Sequence, residues 1–457
     1  MQINPHIFRE YDIRGVVARD FAGAVPELVG RAYGSEVRRS FGDLFQPTVV
    51  VGRDNRPSSP ELAEKIIRGI RSTGVKVIDV GTVPTPSLYY AVLRYEANGG
   101  LQITGSHNPP EYNGFKMVLA GRSVYGEAIQ GLRRRIEADD FATGRGELER
   151  RDVLPEYMDD VAGRFQIKRP VRVVADCGNG TGSLVAVSLL ERIGAEVIPL
   201  YCNSDGTFPN HHPDPVVDEN LADLIARVRE EGAELGVAFD GDADRIGAVD
   251  ETGKIIRGDI LLLLYGLDVL KRRGPGQKMV LDVKCSQAVT EVFAAAGGRP
   301  IMWKTGHSLM KEKMKEEQAP IAGELSGHIC IADGYYGFDD ALYDACRLVD
   351  MVSRADRPLS AQTADFPQYV STPEIRVDVS EERKFDIVAG AVEHFKQGHD
   401  VVAIDGARVL FQGGWGLLRA SNTQPVLVMR FEATTTERLA EIRREMESWL
   451  TDQGVKV

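Results

Sequence analysis

Short runs of consecutive apolar residues alternate along the chain with stretches whose apolar residues recur every three or four positions. The first pattern predicts buried strands and the second amphipathic helices. Residues 48–51 read as a strand, and 60–73 as a helix with Ser59 as N-cap, Pro60 at its first position and Gly74 beyond its end. Leu62, Ile66, Ile67 and Ile70 share one face of that helix. Strands follow at 75–80 and 101–104, with a helix at 87–95 between them. The alternation restarts after Asp152 with strand 171–175, helix 182–193, strand 196–200, helix 221–231 and strand 235–239. It restarts again near Gly258 with helix 259–273, strand 279–283, helix 287–296, strand 300–304 and helices 309–317 and 339–353. These are three α/β units with mixed, mainly parallel sheets, similar in order but without a strict repeat.

The last stretch differs. Strands at 372–379, 401–404, 408–411, 416–419 and 426–432 have short connections, helices at 382–396 and 435–450 accompany them, and Asp405-Gly406 is a hairpin-turn signal. This pattern predicts a C-terminal α+β domain with an antiparallel sheet. The expected domains are 1–150, 151–254, 255–365 and 366–457. Length alone, at 457 residues, suggests about three.

Composition narrows the function classes. Lys+Arg 55 against Asp+Glu 67 gives a net charge of −12, which disfavours a dedicated nucleic-acid binder and docking on anionic membrane. A small anionic substrate remains open, because a few local cations decide that. The five cysteines, Cys177, Cys202, Cys285, Cys330 and Cys346, contain no C-x-x-C pair and read as reduced, mostly buried thiols. The N-terminal residues lack the basic and apolar regions of a signal peptide, and the apolar run 260–267 between Asp259 and Asp268 is too short for a ~30 Å hydrocarbon layer. A cytoplasmic enzyme is the expectation.

Open α/β sheets place ligands beyond the carboxyl ends of their strands, so the loops that follow strands carry the candidate chemistry. Thr104-Gly105-Ser106-His107-Asn108-Pro109-Pro110, continuing to Lys116, offers either a polar turn or a nucleophile or phosphoryl carrier at Ser106. Serine needs a base or a metal for the second role, and His107 or Lys116 could help. Asp240-Gly241-Asp242-Ala243-Asp244-Arg245 puts three carboxylates within five residues. They repel unless something positive sits among them, and compact hard oxygen ligands suit Mg²⁺. A calcium hand is rejected, because its position 6 is Arg245 rather than Gly and the preceding residues read as strand. Arg245 beside such a cluster suits a phosphate clamp.

Gly323-Glu324-Leu325-Ser326-Gly327-His328 could hydrogen-bond vicinal sugar hydroxyls, and Thr305-Gly306-His307-Ser308 also follows a strand. Each could equally be a turn with a surface histidine. Arg419-Ala420-Ser421-Asn422-Thr423-Gln424 offers a guanidinium, hydroxyls and an amide as a phosphate cradle. Tyr11-Asp12-Ile13-Arg14-Gly15 adds another phosphate arginine or an exposed loop. Gly178-Asn179-Gly180-Thr181-Gly182 lacks the third glycine of a dinucleotide fingerprint, since Ser183 stands there, and reads as a tight strand-to-helix turn.

In this order and spacing the motifs resemble the α-D-phosphohexomutase family, in its bacterial phosphomannomutase/phosphoglucomutase branch, over nearly the full chain. Phe208 to Pro215 and Tyr336-Gly337-Phe338-Asp339-Asp340 also resemble connecting stretches of that family. The resemblance implies four domains around a central cleft, a phosphoserine at Ser106, and Mg²⁺ held by Asp240, Asp242, Asp244 and a phosphate oxygen on Ser106. It implies Glu324 and Ser326 on the sugar 3- and 4-hydroxyls, and Arg419, Ser421, Asn422 and Thr423 on the idle phosphate. Tyr11, Arg14, Lys116, Arg245, Lys284 and His307 match positions near substrate or phosphoserine. Lys116 and His328 match the proposed acid/base positions, with His107 beside the nucleophile. Gly105 stands where many members have Ala. Leu325 stands where many members of this branch have Met, and where phosphoglucosamine mutases usually have Gln.

The implied reaction interconverts hexose 1-phosphate and hexose 6-phosphate, of mannose and/or glucose, through phospho-Ser106 and a 1,6-bisphosphate sugar that turns about 180° between two transfers. Glucose 1,6-bisphosphate, or the cognate hexose bisphosphate, is the expected activator, hexose phosphates the expected partners, and a monomer the expected state. The alternatives are a phosphoglucosamine mutase, an Mg²⁺-dependent sugar-phosphate phosphohydrolase, and a sugar-phosphate-binding protein without the chemistry.

Overall fold

The structure, a computed structural model, describes residues 3–42, 45–421 and 425–456. The first sheet contains β1 (Ile13–Val16), β2 (Thr48–Arg53), β3 (Lys76–Thr82), β4 (Gly99–Ile103), β5 (Tyr112–Leu119), β6 (Arg122–Ser123) and β7 (Leu148–Arg150). Its order is β1-β5-β4-β2-β3-β7, with β6 beside β5. Pairing is parallel from β4 through β2 and β3 to β7 and antiparallel from β4 to β5 to β1. Val49, Val51, Leu101, Ile103 and Phe115 pack with Val29, Tyr33 and Val37 of the helix Val25–Phe41 and with Leu62, Ile66 and Ile70 of the helix Ser59–Arg71. The apolar face expected of the latter helix is therefore the buried one. Its start shifts by one residue: Ser58 is the N-cap, and Ser59, already helical, spends its hydroxyl on Asp54 and Asn113.

The serine loop is shorter than its sequence suggests, because residues 112–119 form β5 rather than loop. Asn113 and Gly114 look like turn formers, but a Cβ on Gly114 would lie 2.5 Å from the Ile13 carbonyl oxygen, so glycine permits the close β1–β5 pairing. Lys116 thereby sits on a strand, opposite Gln102 of β4.

The second sheet contains β8 (Arg172–Asp176), β9 (Glu196–Leu200), β10 (Leu235–Phe239), β11 (Ile246–Asp250) and β12 (Ile255–Ile256), in the order β12-β11-β10-β8-β9. β8 is parallel to β9 and β10, whereas β10, β11 and β12 pair antiparallel. The acid motif is thus the connection of the β10–β11 hairpin. The expected helix at 182–193 is a 3₁₀ turn, Thr181–Leu184, followed by the α-helix Ala186–Arg192, and Gly178 and Asn179 have positive φ as a tight turn requires.

β13 (Lys278–Asp282) pairs in parallel with β14 (Arg299–Trp303) and β15 (Ile321–Gly323). The short strand β16 (Ile329–Ile331) follows. The last sheet is wholly antiparallel: β19 (Asp400–Val402), β20 (Ala407–Phe411), β21 (Gly414–Ala420) and β22 (Val426–Ala433) run side by side, and β17 (Val370–Ser371) and β18 (Ile375–Asp378) both pair with β22. Its core joins Leu427, Met429 and Phe431 to Ile387 and Phe395 of the helix Lys384–Phe395 and Ile442, Met446 and Leu450 of the helix Thr436–Asp452.

Two compact units result. One comprises residues 1–261 and 326–360, the other 262–325 and 361–457. The helix Ala341–Arg354 packs on β10 and β11 and belongs to the first unit, although its residues read as part of the third α/β stretch. It starts two residues later than expected: Asp340 is its N-cap, accepting from Leu342 N at 3.1 Å and Tyr343 N at 3.0 Å, and Asp339 pairs with Cys330 in a β-bridge.

Candidate active site

In the first unit the loop after β4 turns at Ser106, whose φ is +48°. Ser106 Oγ donates to Asp240 Oδ2 at 2.7 Å and lies 3.2 Å from His107 Nδ1. A guanidinium holds this turn from behind. Arg56, fully buried, donates to the carbonyls of Ser106 (2.7 Å), Asn108 (2.6 Å), Pro109 (2.6 Å) and Tyr112 (3.1 Å) and to Asp54 Oδ2 (3.1 Å). Asp54 in turn accepts from Gly105 N at 2.9 Å. A Cβ at position 105 would lie 2.4 Å from Arg56 Nε, which gives Gly105 its reason in this chain.

Asp240, Asp242 and Asp244 are fully buried, and one carboxylate oxygen of each lies within 4.8 Å of the others. Lys116 Nζ bonds Asp242 Oδ2 at 2.8 Å and also Asp244 Oδ2. Thr85 Oγ1 bonds Asp242 Oδ2 at 2.5 Å, and the amides of Asp244 and Arg245 bond Asp240 Oδ1 at 3.0 and 3.1 Å. Burial and the repulsion of Asp242 and Asp244 push the Asp240 carboxyl well above its ordinary value. Burial also opposes charge on Asp242 and Asp244, but Lys116 outweighs it and holds both below the ordinary range. Burial works against the Lys116 ammonium as well, yet Asp242 and Asp244 raise it above a usual lysine. Burial first, then Arg245 and Arg14, shift His107 well below its ordinary value.

Three clustered carboxylates repel one another, and Asp242 Oδ1 is buried without a hydrogen-bond partner among the described residues. A hard divalent cation such as Mg²⁺ fits this donor set. Around the cluster, Arg245 Nε lies 3.3 Å from His328 Nε2, His328 Nε2 lies 3.3 Å from Asp244 Oδ1, and His328 Nδ1 lies 3.1 Å from Ser326 Oγ. Asp339 offers an oxygen in the same group as Asp244 and His328. Arg14 on β1 bonds Asn108 Oδ1 of the serine loop and, at 2.6 Å, Asp12. Tyr11 is half-buried beside Asp12.

Glu324, Lys284, His307, Arg419 and Ser421 belong to the second unit, and the unit boundary falls inside the glycine-flanked motif between Leu325 and Ser326. Lys284 Nζ bonds Glu374 Oε1 at 2.8 Å and lies 3.8 Å from Asp282. Glu324 Oε1 accepts from Gly306 N at 2.6 Å, which ties it to the loop that carries His307. Asp405 accepts from Thr305 N at 3.1 Å and Arg419 Nε at 3.0 Å. Leu325 contributes a backbone N–H to Asp282 at 3.4 Å. Asn422 and Thr423 lie outside the described residues.

Sequence reasoning missed Asp54, Arg56, Thr85, Asp339 and Glu374. Asp54 and Arg56 directly follow β2, so the strand-end rule that found the other loops would have found them.

Comparison with known proteins covers the chain end to end. Residues 5–143, 155–253 and 257–369 match the models for phosphoglucomutase/phosphomannomutase α/β/α domains I, II and III, and 374–448 match the C-terminal domain. A phosphomannomutase/phosphoglucomutase of Pseudomonas aeruginosa is 49% identical over 439 residues, covering 96% of this chain and 94% of that one. A phosphoglucomutase of Neisseria meningitidis serogroup A is 43% identical, covering 97% and 96%. The crystal structure of a phosphoglucomutase/phosphomannomutase family protein from Burkholderia thailandensis superposes with a TM-score of 0.92 at 44% identity, covering 99% and 98%. Four matched domains in their expected order, together with a serine hydrogen-bonded into a buried acid triad, place this chain in the phosphoglucomutase/phosphomannomutase family of the α-D-phosphohexomutases.

Proposed function

We propose that this protein is a phosphohexomutase that interconverts hexose 1-phosphate and hexose 6-phosphate, with mannose and/or glucose as the sugar. Ser106 carries the phosphoryl group. The observation that carries the reading is the 2.7 Å bond from Ser106 Oγ to Asp240 inside the buried acid triad, in a chain whose relatives are named for this activity. A phosphohydrolase or a phosphoglucosamine mutase is not favoured by those relatives.

Asp240, Asp242 and Asp244 would hold Mg²⁺ together with a phosphate oxygen on Ser106, and Mg²⁺ there would neutralise charge on the moving phosphoryl group. The protein's own groups do the positioning. Arg56 fixes the loop so that Oγ points at the triad. Arg245 and Arg14 supply positive charge near the reacting oxygens. The sugar hydroxyl forms the new P–O bond as the P–Oγ bond breaks; its proton passes to the His328 ring, and the Lys116 ammonium donates one to the departing Ser106 oxygen, both groups contacting Asp244. His107, with Nδ1 3.2 Å from Oγ, positions the serine hydroxyl between the two transfers. Glu324 and Ser326 are assigned to the sugar 3- and 4-hydroxyls, Arg419, Ser421, Asn422 and Thr423 to the idle phosphate, and Tyr11, Lys284 and His307 to substrate contacts. A hexose 1,6-bisphosphate primes Ser106, and the enzyme works in the cytoplasm.

The test incubates the protein with mannose 1-phosphate or glucose 1-phosphate, Mg²⁺ and a trace of glucose 1,6-bisphosphate, and follows 6-phosphate and inorganic phosphate. The 6-phosphate should accumulate, and Ser106→Ala should lower the rate by about 10³-fold or more. Release of inorganic phosphate without isomerised product would overturn the mutase reading, and full activity in Ser106→Ala would overturn the phosphoserine role.

A further inference from the structure

Two cysteines that no catalytic step uses stand at the ends of neighbouring strands. β8 and β9 are parallel partners with Asp176 opposite Leu200, Cys177 directly follows β8, and Cys202 lies two residues beyond β9. Their Sγ atoms are 3.1 Å apart, and Cys202 Sγ lies 3.3 Å from the carbonyl oxygens of Ala175 and Leu200. Cys177 is buried, whereas Cys202 is half-buried and leads into exposed Asn203 and Ser204. Cys285, Cys330 and Cys346 are buried. A disulfide holds its sulfurs at about 2.05 Å, so a closing movement of about 1 Å, within reach of side-chain rotation, completes the bond.

We propose that Cys177 and Cys202 form an oxidative modification site, a dithiol that a hydroperoxide converts to an intramolecular disulfide. The more exposed Cys202 sulfur attacks the peroxide, the O–O bond breaks, and Cys202 becomes a sulfenic acid as water leaves. The Cys177 sulfur then attacks the Cys202 sulfur, the S–O bond breaks, and hydroxide departs with the Cys177 proton as a second water. Two thiols and one hydrogen peroxide give one disulfide and two waters. The cysteines lose two electrons and the peroxide gains them.

The bond would join two segments that back the acid hairpin. Thr181 N bonds the Gly241 carbonyl at 2.9 Å, and a Cβ on Gly241 would lie 3.5 Å from Pro213 Cγ. This inference does not rest on the mutase reading.

The experiment treats the reduced full-length protein with a modest excess of hydrogen peroxide, quenches it, counts thiols in denaturant, and maps peptides by mass. Two of the five thiols should disappear, the mass should fall by two hydrogens, and the Cys177 and Cys202 peptides should be linked and then released by dithiothreitol. Cys202→Ser and Cys202→Ala, with far-UV circular dichroism to establish that each folds, should lose the reaction and keep Cys177 as a thiol. Retention of all five thiols, a bond between another pair, or a sulfinic acid on Cys202 with Cys177 still free would overturn the proposal.

Discussion

Replacing Arg56 by lysine tests whether the buried guanidinium sets Ser106, the serine proposed to carry the phosphoryl group. The wild-type side chain reaches four backbone carbonyls and one carboxylate, and its Cζ lies 5.1 Å from the Phe208 ring centroid. An ammonium has three protons. If it keeps Asp54 and two carbonyls, the other two lose a charged donor. At about 1.5–3 kcal/mol for each such bond, partly recovered by relaxation of the loop, the cost is about 3 kcal/mol. The first thermal transition should therefore fall by ~5 °C or more. Ser106 sits in the left-handed region and its own carbonyl is one of the four acceptors, so its Oγ should lose its fixed approach to Asp240. A misplaced reacting group lowers kcat while substrate contacts elsewhere stay, so kcat should drop by roughly 10–100-fold with KM changed less than about threefold. Steady-state kinetics on glucose 1-phosphate beside differential scanning fluorimetry reads both. A variant with wild-type kcat and an unshifted transition would refute the reasoning, as would a loss of activity that tracks only the folded fraction.

Other outcomes follow from the same contacts. Asp240→Asn should abolish the Mg²⁺-induced rise in melting temperature yet leave the metal-free midpoint within about 2 °C, because burial and its neighbours already disfavour the Asp240 charge. Lys284, aided against the cost of burial, holds the Glu374 carboxyl down to about 2, below its unfolded value, so Glu374 stabilises the fold fully above pH ~4.5 and progressively less as pH falls towards 2. Denaturant midpoints across that window should fall for the wild type by the equivalent of roughly 3 kcal/mol and stay flatter in Glu374→Gln. Tyr157→Phe removes a hydroxyl bonded to Asp340 at 2.9 and 3.0 Å, and should cost about 1–3 kcal/mol, measured by urea unfolding, because Asp340 also caps the helix Ala341–Arg354. Calorimetric titration should find Mg²⁺ bound more tightly by the phosphorylated protein than by Ser106→Ala, and equal affinities would contradict the shared site.

Contiguous chemistry was legible in the sequence. Ser106, Asp240, Asp242 and Asp244 stand on short loops after apolar strands, and strands Glu196–Leu200 and Leu235–Phe239 match their periodicity. What escaped depends on contacts that no local pattern encodes. Thr85 reaches Asp242 across 157 residues and Arg56 reaches Ser106 across 50. β5 was hidden by Asn113-Gly114, whose turn-forming character yields to pairing with β1 and β4 on either side. Ser58 and Ser59 are locally equivalent caps; Asn113 donates to both hydroxyls, and Ser59 alone of the two is shown donating to Asp54. The helix Ala341–Arg354 also packs on β10 and β11, a contact that alternation along the third α/β stretch does not encode.

The net charge of −12 left a small anionic substrate open, with a few local cations to decide it. The structure sharpens this, because the cations are already engaged. Lys116 is committed to Asp242 and Asp244, and Arg14 to Asp12. A phosphoryl group on Ser106 adds nearly two negative charges beside Asp240, where water cannot screen them. Rearranging the Lys116 and Arg14 pairs would absorb little of that addition, since each pair broken strands an acid in the interior. A divalent cation bound by the triad and the phosphate together would absorb it. Phosphorylation and metal binding would therefore be linked, and linkage is reciprocal: whatever the phosphate added to Mg²⁺ affinity, Mg²⁺ would add to the stability of the phosphorylated state. On the proposed function, the buried acids would serve the serine as much as the metal, which gives a reason for three carboxylates in a place where their mutual repulsion costs folding stability.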